Sequence, residues 1–301
     1  MGEGVFVVFN PRAGKGRGAG LVEPVLRALS RDGAAVEHAV TSRAGEEGAL
    51  AEAAVGRGFR TLVAVGGDGT WCNVGNAILR SGLPARLGLV AGGTGCDLAK
   101  SLAIPAAIPE AAAAVIRGGI TRTIDVGRVE DRYFLNVAGF GFDIAVIEHS
   151  WGVRLPGWGV YPYCALRQIV GYPGFPVDVS ADGAPSAREE LLMLVVANAR
   201  IFGGGFRIAP AADLEDGRLD VVSFRNMGTW RRLAVMAALL RGTHGGSAEV
   251  GTRRTQRLRL RFERPPAYET DGEWNQAGST ELVVECIPRA LAVLVPASSR
   301  A

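Results

Sequence analysis

The apolar run Thr61-Leu62-Val63-Ala64-Val65 passes without a spacer into Gly66-Gly67-Asp68-Gly69-Thr70, and a helix-like stretch starts at Thr70. A strand that breaks into glycines and reopens as a helix brings bare backbone and unpaired helix N–H groups to one point, which suits an anion. Asp68 refines this reading. A carboxylate beside phosphates repels them unless a divalent cation lies between, so the block predicts a nucleotide with magnesium.

The same strand, loop and helix order recurs through the first 120 residues. Val5 to Phe9 is apolar and rich in β-branched residues, Leu21, Val25, Leu26 and Leu29 stand at helical spacing, 36–41 reads as strand and 46–55 as helix. Repeated β-α-β order predicts a parallel sheet with helices on both faces and ligands at the carboxyl ends of its strands. From about residue 121 the pattern changes to short strands at 123–129, 133–137, 176–180, 191–197, 219–224, 255–262, 282–286 and 291–295, with helical stretches at 161–170 and 230–241. The expected fold class is therefore α/β plus β: a nucleotide-binding α/β domain over 1–120, then an antiparallel β domain over 121–301. The last strand, about 290–296, is free to return to the first domain.

Composition narrows the function classes. A net charge of +3 is too weak to imply nucleic acid. Cys72, Cys96, Cys164 and Cys286 form neither a paired framework nor a zinc spacing, and His38, His149 and His244 are isolated. No apolar stretch approaches the roughly 20 residues needed to cross a bilayer, and the amino terminus lacks a signal-peptide pattern, so a cytoplasmic location is expected. Arg257, Arg259 and Arg261 alternate with apolar residues, which predicts a hydrated sheet face, with contact to an anionic membrane as the second reading.

Further loops extend the pattern. Asn10-Pro11-Arg12-Ala13-Gly14-Lys15-Gly16 follows the first strand; it lacks P-loop spacing, and a structural turn and a phosphate cradle stay equally open. Gly92-Gly93-Thr94-Gly95-Cys96-Asp97 again follows a strand, Ile124-Asp125-Val126-Gly127 opens the second region, and Glu269-Thr270-Asp271-Gly272-Glu273 contains an Asp-Gly hairpin signal. Its flanking acids are dispensable in a plain hairpin.

Taken in order, Asn10-Pro11-x-x-Gly14, Gly66 to Thr70 with Asn73 and Asn76, Gly93-Thr94-Gly95-x-Asp97, Ile124-Asp125-x-Gly127, Asp216-Gly217-x-Leu219-Asp220 and Asp271-Gly272-Glu273 resemble the diacylglycerol kinase catalytic family, in particular its soluble bacterial lipid kinases. The resemblance implies transfer of the ATP γ-phosphoryl group to a lipid hydroxyl. It also implies a Rossmann-like α/β domain, a β-sandwich domain and a nucleotide cleft between them. By motif, Asn10, Pro11, Arg12, Ala13, Gly14, Lys15, Thr41, Gly66, Gly67, Asp68, Gly69, Thr70, Thr94 and Asp97 hold the nucleotide. Glu273 is the implied proton acceptor, with Asp271 and Asp68 in the catalytic set. Asp68, Asp97 and Asp125 organise magnesium through water, and a second, structural magnesium takes the Asp216 carboxylate with backbone oxygens of Asp213 and Arg218. Cys96 departs from the family, which usually has asparagine there, and cannot supply an amide contact.

A lipid substrate has to be reached at an interface, and Trp151, Trp158, Tyr161 and Tyr163 cluster with Arg154, so peripheral contact with the inner membrane face is expected alongside a domain-core role for the same rings. A homodimer is compatible with the sequence. Alternatives to a diacylglycerol acceptor are a sphingoid base or ceramide, a soluble acceptor as in NAD kinases, and a catalytically silent nucleotide-binding protein. NAD kinases share the Gly66 to Thr70 type of block, but leave Asp271-Gly272-Glu273 unexplained.

Overall fold

The computed structural model describes residues 4–31, 35–105, 109–153 and 160–297, without the side chains of Tyr161 and Pro162. The chain divides into two units, residues 1–126 with 288–301, and residues 127–287. Strand β5 (Ile120–Val129) carries the chain from the first into the second, and β15 (Glu281–Val295) carries it back.

In the first unit, β1 (Val5–Phe9), β2 (Val36–Val40), β3 (Thr61–Gly66) and β4 (Arg86–Ala91) are parallel, in the order β2-β1-β3-β4, with the end of β15 beside β4. Val7, Phe9, Val63, Val65 and Val90 form one buried face, packed with residues of α1 (Val22–Leu29) and α5 (Pro109–Gly118). Helices α2 (Glu46–Gly56) and α3 (Asp68–Ser81) also pack on these strands, and buried Trp71 donates its indole N–H to Ala64 O at 3.1 Å. Burial on both faces explains why β3 is apolar throughout rather than alternating. After β2 the chain crosses back over β1 to reach β3, so the direction of winding reverses between β1 and β3. In open parallel sheets that reversal marks where ligands bind, at the carboxyl ends of the strands.

The second unit contains β6 (Arg132–Phe134), β7 (Val137–Gly141), β8 (Phe175–Ala181), β9 (Ala187–Ala197), β10 (Leu219–Arg225), β11 (Val250–Thr255), β12 (Arg257–Arg261), β13 (Ala267–Thr270) and β14 (Glu273–Gln276). The order β14-β13-β7-β9-β8-β12-β15 is antiparallel throughout, and β10 pairs with β9 and β11. Strand β9 shows the period-2 logic: Leu194 and Val196 enter one core, while Met193, Val195 and Ala197 enter another. The latter includes Phe142 of α6 (Phe142–Trp151), Ile169 of α7 (Val160–Gly171) and Val235 of α8 (Thr229–Arg241).

The expectation of a parallel α/β unit followed by an antiparallel β unit is met. Arg257, Arg259 and Arg261 are exposed while Leu258 and Leu260 are buried, and Glu285 and Glu281 stand opposite two of the arginines. Residues 282–286 and 291–295, expected as separate strands, are one strand that kinks at Arg289 (φ 49°). Helix α6 carried no periodic signal. All four cysteines are buried and none is in a disulfide.

Candidate active-site elements

In the first unit, the loops after β1, β3 and β4 pack on one another through glycine. Gly66 O accepts both Gly92 N–H (2.7 Å) and Gly93 N–H (3.0 Å). A Cβ on Gly93 would lie 2.5 Å from Gly67 Cα, and one on Gly14 would overlap Gly92 O. Gly14, Lys15 and Gly16 run consecutively at positive φ, with Arg17 bracing the turn through bonds to Gly14 O and Gly93 O, each 3.0 Å. Sequence left cradle and structural turn equal for this loop; its close fit against the β4 loop makes it part of one glycine-lined cluster at the β1/β3 reversal.

Asn10 joins the two flanking loops. Its Nδ2 donates to Thr70 Oγ1 (3.0 Å) and to Glu47 Oε1 (2.9 Å), and its Oδ1 accepts Arg12 N–H (3.0 Å). Pro11 and Ala13 complete this turn, with Ala13 N–H bonded to Asn10 O (3.2 Å) and Pro11 O accepting Ala19 N–H (3.2 Å). Thr41 is buried at the end of β2, its N–H bonded to Phe9 O. Lys15 and Thr94 are exposed on their loops. Gly69 lies in the first turn of α3, whose N-cap is Gly67, so no Cβ stands at the amino end of this helix, the end that suits an anion. Glu47, which the sequence reading missed, is buried, and its Oε2 has no hydrogen-bond partner among the described residues.

The acids of this unit are already engaged. Asp68 Oδ1 accepts Leu98 N–H at 3.0 Å, at the start of the short helix α4 (Asp97–Ser101); burial chiefly, with the charge of Asp97, lifts its carboxyl above the ordinary value. Asp97 is buried and bonds Lys100 Nζ at 2.8 Å. Asp125 is fully buried, and its Oδ1 accepts Arg289 N–H at 2.7 Å, which fixes the β15 kink. Asp68 and Asp97 are thus neighbours, and Asp125 is bonded to the backbone of β15. Cys96 sits at φ 53°, and burial with the charge of Asp68 pushes its thiol up to about 11.

In the second unit, Asp271 (φ 50°) and Gly272 (φ 86°) form the two-residue turn between β13 and β14, the double positive φ of a type I′ hairpin. Asp271 is buried and its carboxylate is spent on backbone: Oδ1 accepts Asn136 N–H (2.8 Å) and Val137 N–H (2.9 Å), and Oδ2 accepts Leu135 N–H (2.7 Å). Asn275 Nδ2 ties the arms together through Thr270 Oγ1 (3.1 Å) and Glu273 O (2.8 Å). Glu273 itself is exposed.

The proposed structural metal site has competition. Asp216 Oδ1 accepts Arg218 N–H (3.0 Å) and Oδ2 lies 3.6 Å from Arg254 Nη1, while Asp213 Oδ1 accepts Glu215 N–H (3.0 Å). Among the described residues no three acid, histidine or cysteine side chains form a group that could hold a metal. A magnesium here would take the Asp216 carboxylate with backbone oxygens and water, in competition with Arg218 N–H and Arg254.

Residues 4–129 match the profile of the diacylglycerol kinase catalytic domain, and residues 136–295 match that of the YegS C-terminal NAD kinase beta sandwich-like domain. The diacylglycerol kinase of Mycobacterium tuberculosis (strain H37Rv) is 29% identical over 298 residues, covering 97% of this chain and 95% of that protein. The "Probable lipid kinase YegS-like" protein of Pseudomonas aeruginosa (strain UCBPP-PA14) is 33% identical over 215 residues, 69% of this chain and 68% of that protein. In fold, the chain resembles a crystal structure of a diacylglycerol kinase from Bacillus anthracis (Sterne), with TM-score 0.73 at 19% identity over 99% and 98% of the two chains. An Archaeoglobus fulgidus NAD kinase solved with ATP gives TM-score 0.54 at 14% identity over 98% and 95%. The second unit's profile alone spans more than half of the chain, and the chain belongs to the diacylglycerol kinase family that includes the YegS-like lipid kinases.

Proposed function

We propose that the protein is an ATP-dependent kinase that transfers the γ-phosphoryl group to the hydroxyl of a lipid, diacylglycerol or a close relative. The observation that carries this reading is the division of labour in the acidic hairpin. Asp271 spends both carboxylate oxygens on three backbone amides, while Glu273, two residues on, is exposed on the turn that Asp271 holds rigid. A fixed backbone that presents one carboxylate suits a proton acceptor.

The first unit supplies the phosphate end of the nucleotide, through the amino end of α3 and the glycine backbone of the β1, β3 and β4 loops. Asp68 and Asp97, with Asp125, would hold a magnesium through water, and the ion would offset phosphate charge. Asp213, Asp216 and Arg218 are the candidates for the structural ion. As the lipid oxygen bonds the γ-phosphorus and the bond to the β-phosphate oxygen breaks, ADP leaves and the hydroxyl proton passes to the Glu273 carboxylate.

Contact with a lipid surface is supported by exposed apolar side chains in the second unit. Trp151 on α6 is 65% exposed, and Tyr163, Leu166 and Val170 share the outer face of α7. Arg154, Trp158 and the Tyr161 side chain lie outside the described residues. Among the described residues no helix is long and apolar enough to cross a membrane.

The test is phosphorylation from radiolabelled ATP and magnesium in mixed micelles containing diacylglycerol, ceramide, sphingosine or phosphatidylglycerol, with NAD as a soluble acceptor. Label in one lipid, lowered about 100-fold or more by Glu273→Gln, is the expected result. Label in NAD alone, or full activity in the variant, would overturn the proposal.

A further inference from the structure

Asp143 and Glu269 are two buried acids with no part in the mechanism above. Asp143 is the second residue of α6; its Oδ1 accepts Ile144 N–H at 2.8 Å, and its Oδ2 is buried without a hydrogen-bond partner among the described residues. That oxygen occupies the space a side chain on Gly139 would need. Glu269, 3% exposed, stands directly across the β7–β13 ladder from Gly139, and its Oε1 lies 2.9 Å from the same Cβ position. The two carboxyl oxygens therefore lie over one glycine, at most 4.6 Å apart. Two carboxylates so placed cannot both be ionised without strong repulsion. Glu269 Oε2 meanwhile accepts Gly272 N–H at 2.7 Å, which favours the anion on Glu269 and leaves the proton to Asp143.

We propose that Asp143 and Glu269 share a single proton, carried on Asp143 Oδ2 and donated to Glu269 Oε1, and that this bond clamps the turn that presents Glu273. The chain of contacts runs from α6 through Glu269 to the Gly272 amide, the residue before Glu273, so both acids are positioning residues. Burial pushes the Asp143 carboxyl up to about 7, and burial with the charges of Asp143 and Glu148 pushes the Tyr172 phenol up to about 12. Among the described residues, the ionisable groups around Asp143 are Glu269 from β13, Tyr172 after α7, and Glu148 and His149 on its own helix. Glu148 accepts the Trp274 indole N–H (3.1 Å), and His149 packs on Tyr163. Strand β7 has no ionisable side chain, and β9 meets α6 through apolar residues.

The pH consequence has a definite sign. The native state holds a proton on Asp143 that the unfolded chain releases near the ordinary aspartate value of about 4, so this site's contribution to stability falls as pH rises from about 4 to about 7. In Asp143→Asn the amide donates to Glu269 at every pH and removes that dependence.

The experiment compares wild type, Asp143→Asn, Asp143→Ala and Glu269→Gln, by melting temperature from about pH 5 to about pH 8 and by kcat and KM for ATP with the lipid acceptor. Melting curves that fall with pH more steeply in wild type than in Asp143→Asn and Glu269→Gln are expected; parallel curves would overturn the shared proton. Asp143→Ala is expected to lose more than about tenfold in kcat with KM for ATP unchanged, because a misplaced reacting group is costly, and Asp143→Asn is expected to restore it. Equal losses in both variants would overturn the positioning role. That role rests on Glu273 as proton acceptor; the melting curves do not, so failure of the Glu273 reading is distinguishable from failure of the shared proton.

Discussion

Replacing Asp271 by asparagine separates a structural carboxylate from a catalytic one. Asparagine tolerates the positive φ of 50° at this position and keeps the side-chain shape, so only charge and one acceptor are lost. With the amide oxygen in place of Oδ1, the Asn136 and Val137 bonds survive as neutral bonds, each weaker by about 1 kcal/mol than its charge-assisted form. The amide nitrogen then faces Leu135 N–H, leaving a buried donor unpaired at a cost of about 1–3 kcal/mol. The sum, about 3–5 kcal/mol, corresponds to a fall of roughly 10 °C in the melting transition of a unit this size. Differential scanning calorimetry, beside lipid kinase assays below the transition, gives the comparison. An Asp271→Asn protein that melts with wild type yet has lost kcat would refute the structural assignment and make Asp271 a reacting group.

Gly93→Ala is expected to force the β3 and β4 loops apart, because the new Cβ meets Gly67 backbone at 2.5 Å, and to weaken ATP binding by more than tenfold in calorimetric titration; Gly20→Ala, with nothing within 4 Å, is the silent control. Cys96→Asn should raise stability by roughly 0.5–1 kcal/mol, since asparagine accepts the left-handed backbone at φ 53° more readily than cysteine, measurable as a small rise in melting temperature. Burial works to raise the Asp182 carboxyl, but bonds from Arg257 N–H, Thr255 Oγ1 and Gln256 N–H hold it below the ordinary value. Its stabilisation is therefore present above about pH 4 and lost as pH falls further, so Asp182→Asn should melt below wild type at neutral pH and converge with it in acid.

The strands of the first unit were legible because burial on both faces writes them as uninterrupted apolar runs, as in Thr61 to Val65, and because glycine marks their carboxyl ends. Helix α6 was not legible: Phe142-Asp143-Ile144-Ala145-Val146 shows no one-sided stripe, since the helix packs on β7, β9, β13 and α7 together. The kink in β15 was equally hidden. It depends on Asp125 reaching Arg289 across 164 positions of sequence, a pairing that no local pattern encodes. Glu47 escaped for a related reason, because a glutamate beside Glu46 in a polar stretch reads as a solvated surface residue until the fold buries it.

The acidic hairpin shows what sequence supplies and what the fold adds. Asp-Gly would have turned the chain in any antiparallel setting, so Asp271 and Gly272 by themselves predict a hairpin and nothing more. The fold gives the three surrounding acids different chemistry. Asp271 is held by three amides, and Glu269 is bound to the turn on one side and faces Asp143 on the other. Glu273 is the exposed one of the three. A carboxylate whose own backbone is fixed by two others loses little freedom when it meets a substrate hydroxyl, which lowers the entropic cost of reaching a reactive geometry. On this argument, loosening either buried acid lowers kcat without touching Glu273, and the size of that loss measures how much of the hairpin's catalysis is orientation rather than basicity.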